Sequence, residues 1–275
     1  MRAIKKKLLF ILPILFLTVS SFAAVDTVAT FSKVMNKEIK AVVITPKSYS
    51  SAKEYPVVFL LHGHSGNYAT WVKIAPHIES LADQYEMILV TPDGNFDSWY
   101  WDSPVDPSSQ YETYIADELI NYIDENYSTK KTRESRAITG LSMGGHGALY
   151  LAIRNQDIFG VAGSMSGGVD IAPFPESWNM KKYLGSRAEF PERWEEYSVL
   201  GQLHLLNRNN LPLVIHCGTG DFFYQVNLKL HEELTYLKIP HSFTANPGEH
   251  NWDYWRDAVQ YQLLYFHNYF EKDED

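Results

Sequence analysis

The chain has 275 residues, of which 45% are hydrophobic and 14% aromatic, enough for a sizeable buried core and too apolar for a disordered polymer. Its formal charge is −9, and beyond the first seven residues it has no basic run, which argues against nucleic acid as a partner. A single cysteine, Cys217, excludes an internal disulfide, so packing has to hold the fold together.

The N-terminus reads as a leader. MRAIKKK is a basic n-region, LLFILPILFLTV an apolar h-region, and SSFAA a run of small residues suited to a signal peptidase. The apolar run is shorter than the ~20 residues a spanning helix needs and contains Pro13, so a cleaved signal peptide over residues 1–24 is expected rather than a stable membrane anchor. Its removal takes away Arg2, Lys5, Lys6 and Lys7 and no acid, which moves the formal charge from −9 to −13. A periplasmic or secreted mature protein follows from this reading.

Beyond residue 25, short apolar runs alternate with longer helical stretches, the pattern of βαβ units around a mostly parallel sheet. VATFSKVM and EIKAVVITP come first without a helix between them and predict an antiparallel lead-in hairpin. PVVFLLHG is a continuous apolar run of the kind a strand buried on both faces shows. A helix is expected over 68–82 and a strand at MILVTPDG. In the next helix, YETYIADELINYIDENY, Tyr111, Ile115, Leu119 and Ile123 share one face. SRAITGLS, FGVAGSMSG, LPLVIHCGTGD and HSFTANPG read as further strands. MGGHGALYLAIRNQ, YQVNLKLHEELTYLK and NWDYWRDAVQYQLLYFHNYF read as helices. Residues 170–210, rich in Pro, Trp, Tyr and charge, are too long for an ordinary connection and read as a lid inserted into the scaffold. No repeat or linker interrupts residues 25–275, so one catalytic domain is the economical reading.

Gly140-Leu141-Ser142-Met143-Gly144 fits G-x-S-x-G between a predicted strand and a predicted helix, the context in which that motif presents a nucleophilic serine. A five-residue pattern of this kind also suits a Gly-rich turn with a solvated serine. A serine hydroxyl needs a general base and a carboxylate to orient that base. Asp221 closes one predicted strand, and His250 follows another, in PGEHNWDYW. Ligand sites lie outside the carboxyl ends of strands, so three strand exits can converge on one crevice. Asp253 competes for the acid role but falls after His250, inside the closing helix. Oxyanion donors would be the backbone N–H groups of Met143 and of His64 in LLHGHSG. His62 and His64 form an HxH pair, yet no third ligand with zinc-like spacing lies nearby, and no metal or cofactor is implied. Cys217, within an apolar run, suits a buried inert thiol better than a nucleophile.

Together LLHGHSG, GLSMGGHGA, CGTGD and PGEHNWDYW resemble the putative-esterase family of α/β-hydrolases, which includes S-formylglutathione hydrolase, feruloyl, acetyl and tributyrin esterases and mycolyltransferases. The resemblance covers about residues 27–270. It implies a three-layer α/β-hydrolase fold, a Ser142–Asp221–His250 triad, and His64 and Met143 at the oxyanion hole. The first oxyanion loop of the family often carries an apolar residue where His64 stands, and glycine is common where Glu249 precedes His250; neither change removes a backbone donor. An exported chain disfavours S-formylglutathione hydrolase, whose thiol substrate is cytosolic. PDGNFDSWYWDSP resembles the aromatic loop that borders the acyl pocket in secreted members, where Trp99 and Tyr100 would stack on an aromatic acid or a sugar; Asp97 and Asp102 read as solvated turn residues. The function expected is hydrolysis of acetyl or feruloyl esters of carbohydrates. Acyl transfer to a sugar hydroxyl and a non-catalytic sugar-binding or adhesion module are the alternatives.

Overall fold

The computed structural model describes residues 24–206 and 211–272. All but the last residue of the expected leader lies outside these. The chain opens with the hairpin β1 (Ala24–Ser32) and β2 (Lys37–Thr45), then β3 (Val57–Leu61). The short helices α1 (Thr70–Ile74) and α2 (Ile78–Gln84) lead to β4 (Ile88–Pro92). A continuous helical stretch follows: α3 (Tyr111–Thr113), a π-helical segment Tyr114–Leu119 and α4 (Ile120–Asn126). Next come β5 (Arg136–Gly140), α5 (Met143–Arg154) and β6 (Val161–Met165). The irregular segment holds α6 (Met180–Leu184), α7 (Pro191–Glu196) and a 3₁₀ segment, Leu200–Leu205. The chain then runs through β7 (Leu213–Gly218), α8 (Tyr224–Tyr236), β8 (His241–Asn246) and α9 (Trp252–Lys272).

The strands form one eight-stranded sheet in the order β1-β2-β4-β3-β5-β6-β7-β8. β2 pairs antiparallel with both β1 and β4, and every other pairing is parallel. Alternation along β3 builds the layers: Val57, Phe59 and Leu61 enter the core on one face, Val58 and Leu60 the core on the other. The first face is covered by the 111–126 stretch, α5, α8 and the irregular segment; the second is covered by α1, α2 and α9. This is the three-layer α/β-hydrolase architecture, with the antiparallel hairpin at its N-terminal edge.

Two expectations need refinement. The helix expected over 68–82 breaks because Pro76 has no N–H and disfavours helical geometry at Ala75, which sits at φ −125°, ψ 57°. Tyr111, Ile115, Leu119 and Ile123 are all buried, but their spacing of four exceeds the ~3.6 residues of an α-turn. The wider π-helical segment between them keeps that stripe facing the core.

Order in the sheet reverses around β3, with β4 on one side and β5 on the other. The crevice beyond the carboxyl ends of β3 and β5 is therefore the topological switch point, where ligand sites are expected in open α/β sheets.

Candidate active site

Ser142 occupies the turn from β5 into α5 with φ 55° and ψ −118°, a left-handed backbone that L-residues rarely adopt. Its N–H donates to the Met165 carbonyl at 2.8 Å, which ties the turn to the end of β6. Glycine at 144 is a packing requirement, since a Cβ there would lie 2.5 Å from the Leu61 carbonyl oxygen.

The exits of β7 and β8 are stitched together. Thr219 N–H donates to Asn246 O at 2.9 Å and Gly220 N–H to Gly248 O at 2.8 Å. Gly218 lets the two loops approach, because a Cβ there would sit 2.4 Å from Gly248 O. The stitching delivers Asp221 to His250: Nδ1 lies 2.8 Å from Oδ2 and 3.0 Å from Oδ1. Phe223 N–H also donates to Asp221 Oδ1, at 2.7 Å, so the buried carboxylate has a second, fixed donor. On the other side of the ring, His250 Nε2 lies 2.9 Å from Ser142 Oγ. An ionised carboxylate only accepts, so Nδ1 carries the proton and Nε2 presents its lone pair to the serine hydroxyl. The arrangement can remove a proton from Ser142 and hold the resulting imidazolium against Asp221.

Asp253 stands apart, with its side chain 86% exposed and paired to Arg256 Nη2 at 2.5 Å.

Met143 is the first residue of α5, where backbone N–H groups have no intrahelical acceptor. His64 lies in the loop after β3, which passes beside Ser142: a Cβ on Gly63 would be 3.3 Å from Ser142 Cβ. Among the described residues, neither the Met143 nor the His64 N–H is engaged by a backbone acceptor. The loop is braced by His62, which donates from Nδ1 to Gly63 O and accepts the Gly94 N–H at Nε2, both at 2.8 Å. With both ring nitrogens taken, His62 is not half of a metal-binding pair with His64. Burial lowers the His64 pKa, with nearby Asp97 opposing the shift, so a neutral imidazole borders the cleft.

The cleft around Ser142 measures about 360 Å³ and is walled by His64, Trp178, Phe222, His250 and Trp252. A larger hollow, about 660 Å³, lies between the irregular segment and α8 near Asp170, Trp194 and Lys229, and contains none of the three hydrogen-bonded residues. Chemistry, not size, makes the smaller one the candidate site.

Trp99 and Tyr100 do not reach that cleft, contrary to expectation. Both are essentially fully buried. Trp99 packs on Trp101 and His146, with ring centroids 5.6 and 5.2 Å away, and Tyr100 packs against Gly94 and Gly147. The Trp99 ring is covered by Trp178 of the irregular segment, and the Tyr100 ring lies between the loop after β4, α5 and His62. Asp97 and Asp102 are tied into the fold rather than free turn residues, Asp102 remaining partly exposed. Asp97 is buried and accepts from Tyr183 Oη and from Asn179 Nδ2, the latter at 2.9 Å. Asp102 accepts from the Thr113 N–H at 3.0 Å. The rings that face the cleft are instead Trp178, in the segment read as a lid, and Phe222, Trp252 and Trp255, beside Asp221 and His250. Their adjacency to those two residues was the available signal. Residues 170–206 do not form a loose cover: Met180, Tyr183, Leu184 and Trp194 are buried in the core, and the segment meets the cleft through Trp178.

The mostly parallel eight-stranded sheet, with its antiparallel N-terminal hairpin and helices on both faces, is the fold of the α/β-hydrolases. The chain belongs to the putative esterase family, matching its profile over residues 32–266, and is a carboxylic-ester hydrolase. It is 24% identical over 256 residues to an acetyl esterase of Caldicellulosiruptor saccharolyticus, covering 86% of this chain and 95% of that protein. It is 26% identical over 241 residues to the S-formylglutathione hydrolase of Arabidopsis thaliana, covering 79% and 83% respectively. Among solved structures, a ferulic acid esterase superposes with a TM-score of 0.79 at 28% identity, covering 90% of this chain and 99% of that one.

Proposed function

We propose that the chain hydrolyses acetyl or hydroxycinnamoyl esters of carbohydrates through an acyl-enzyme on Ser142. The single observation that carries the mechanism is the continuous hydrogen-bonded chain from Ser142 Oγ through His250 to Asp221. Ser142 Oγ attacks the ester carbonyl as His250 Nε2 takes its proton. The negative charge that develops on the carbonyl oxygen is met by the Met143 and His64 N–H groups. His250 returns the proton to the leaving alcohol, and Asp221 favours the imidazolium throughout. Water, activated by the same imidazole, then releases the acid and restores the serine.

The substrate class rests on the acetyl esterase and ferulic acid esterase relatives and on the aromatic walls of the cleft. Export rests on the basic and apolar regions of residues 1–24 and is checked by intact mass, which should place the mature N-terminus at Ala24 or Val25. Among the described residues, no helix is long and apolar enough to cross a membrane.

The test of mechanism is active-site labelling. A fluorophosphonate should attach to Ser142 in the wild type and leave Ser142→Ala unmodified, and 4-nitrophenyl acetate, acetylated sugars and methyl ferulate assayed in parallel should report the acyl preference. A protein that stays unlabelled and hydrolyses none of these esters would return the sugar-binding alternative to first place.

A further inference from the structure

Three rings line up at the mouth of the cleft. The Trp178 and Phe222 planes lie 19° apart with centroids 5.8 Å from each other, and Phe222 lies 4.1 Å from the His250 ring at 37°. Phe222 is 54% exposed and lines the cleft, so part of its ring is open to a bound ligand.

Both residues are anchored by their neighbours. Phe222 follows Asp221 in a tight turn closed by Tyr224 N–H to Asp221 O at 2.9 Å, so ring and carboxylate share one anchor. Trp178 is backed by Phe223 at 5.1 Å, Phe174 at 5.4 Å and Trp99 at 6.0 Å. Its backbone is unusual, because Trp178 at φ 49° and Asn179 at φ 57° are two consecutive non-glycine residues with left-handed geometry. Strain of this kind persists only where the surroundings over-determine it. Asp97 supplies the determinant: its buried carboxylate accepts from Asn179 Nδ2 and Tyr183 Oη, pinning the residues on either side of α6's first turn to the loop after β4.

The geometry points to Trp178 and Phe222 as the residues that select the acyl group, favouring a flat conjugated acid over acetate, with Asp97 as the residue that positions Trp178. A planar acyl chain entering toward Ser142 extends the ladder by one ring, and the wall is already ordered, so little conformational entropy is lost on binding. This reading of selectivity rests on the site proposed above. It replaces the role first given to Trp99, which here only backs Trp178.

Binding can be separated from turnover. Methyl ferulate titrated calorimetrically into Ser142→Ala should bind, and Trp178→Ala or Phe222→Leu on that background should weaken it roughly tenfold or more, the scale of one lost stacking contact with its buried area. Trp178→Phe should restore part of the loss. Asp97→Ala should weaken binding in the same direction but add nothing once Trp178 is Ala, the non-additivity expected of a residue acting through another. In the serine-containing protein, the same substitutions should lower kcat/KM for methyl ferulate relative to 4-nitrophenyl acetate by a similar factor. Undetectable binding, or binding indifferent to both Trp178→Ala and Phe222→Leu, overturns the inference whether or not the wild type hydrolyses esters. Ring-dependent binding without hydrolysis would count against the proposed chemistry alone.

Discussion

The phenolic hydroxyl of Tyr100 donates to the backbone carbonyl of His62 at 3.0 Å, from a ring that solvent does not touch. His62 precedes Gly63 and His64, so this bond fixes the peptide that feeds the first proposed oxyanion donor. Tyr100→Phe keeps the ring and leaves the His62 carbonyl short of a donor. The variant should lose about 1–2 kcal/mol of stability in urea unfolding. Its kcat for 4-nitrophenyl acetate should fall while KM changes little, because a displaced oxyanion loop affects the transition state more than the bound ester.

Asp221 and Asp253 make opposite predictions. Asp221→Asn replaces an acceptor with an amide that favours the wrong His250 tautomer, so kcat should drop roughly 10⁴-fold under the proposed mechanism. Asp253→Asn removes only an exposed ion pair with Arg256 and should leave ester hydrolysis within about twofold. Steady-state kinetics on both variants decides between the two acids.

Acid should destabilise the fold through His146. This ring accepts from Trp101 Nε1 and lies 2.9 Å, at Nδ1, from Gly168 O; burial pushes its pKa down to about 3, against 6.5 in an unfolded chain. Between those values the unfolded state binds a proton that the folded state refuses, so stability rises with pH and is lost as pH falls below 6.5. From about pH 7.5 to about pH 5 the loss attributable to this ring is about 2 kcal/mol. Unfolding free energies from urea titrations at the two pH values should differ by about that much less in His146→Gln than in the wild type.

Cys217 is buried on β7, and burial, reinforced by the Asp221 charge, pushes its thiol pKa far up. The native protein should resist iodoacetamide at neutral pH and react fully in denaturant. Mass spectrometry of the alkylated protein would then report global opening at a single position.

The strands and the site spacing were legible because buried parallel strands are written as uninterrupted apolar runs, and their exits are marked by glycine and polar residues. LLHG, GLSMG, CGTGD and PGEH all fall at such exits, and the structure brings the first three residues sought, Ser142, Asp221 and His250, into one hydrogen-bonded chain. Side-chain direction was less legible. In FDSWYWDS, Trp99 and Tyr100 look like pocket residues by composition. Both take positive φ; Trp99 is covered by Trp178 and Tyr100 by α5 and His62, contacts between distant parts of the chain that no local pattern encodes. Asp97 is invisible for the same reason, since its partners Asn179 and Tyr183 lie in the segment 170–206. Trp178 was hidden inside a stretch without periodicity.

The left-handed backbone of Ser142 sets the protein against its own thermodynamic optimum. A glycine at that position would adopt φ 55° without a Cβ penalty, so Ser142→Gly should fold at least as stably as the wild type while losing the hydroxyl. Random mutation screened for folding alone would therefore drift toward an inert scaffold. Under the proposed mechanism, only selection for turnover would hold serine at this angle, so Ser142→Gly should be enriched when variants are selected for folding alone and depleted when they are selected for ester hydrolysis.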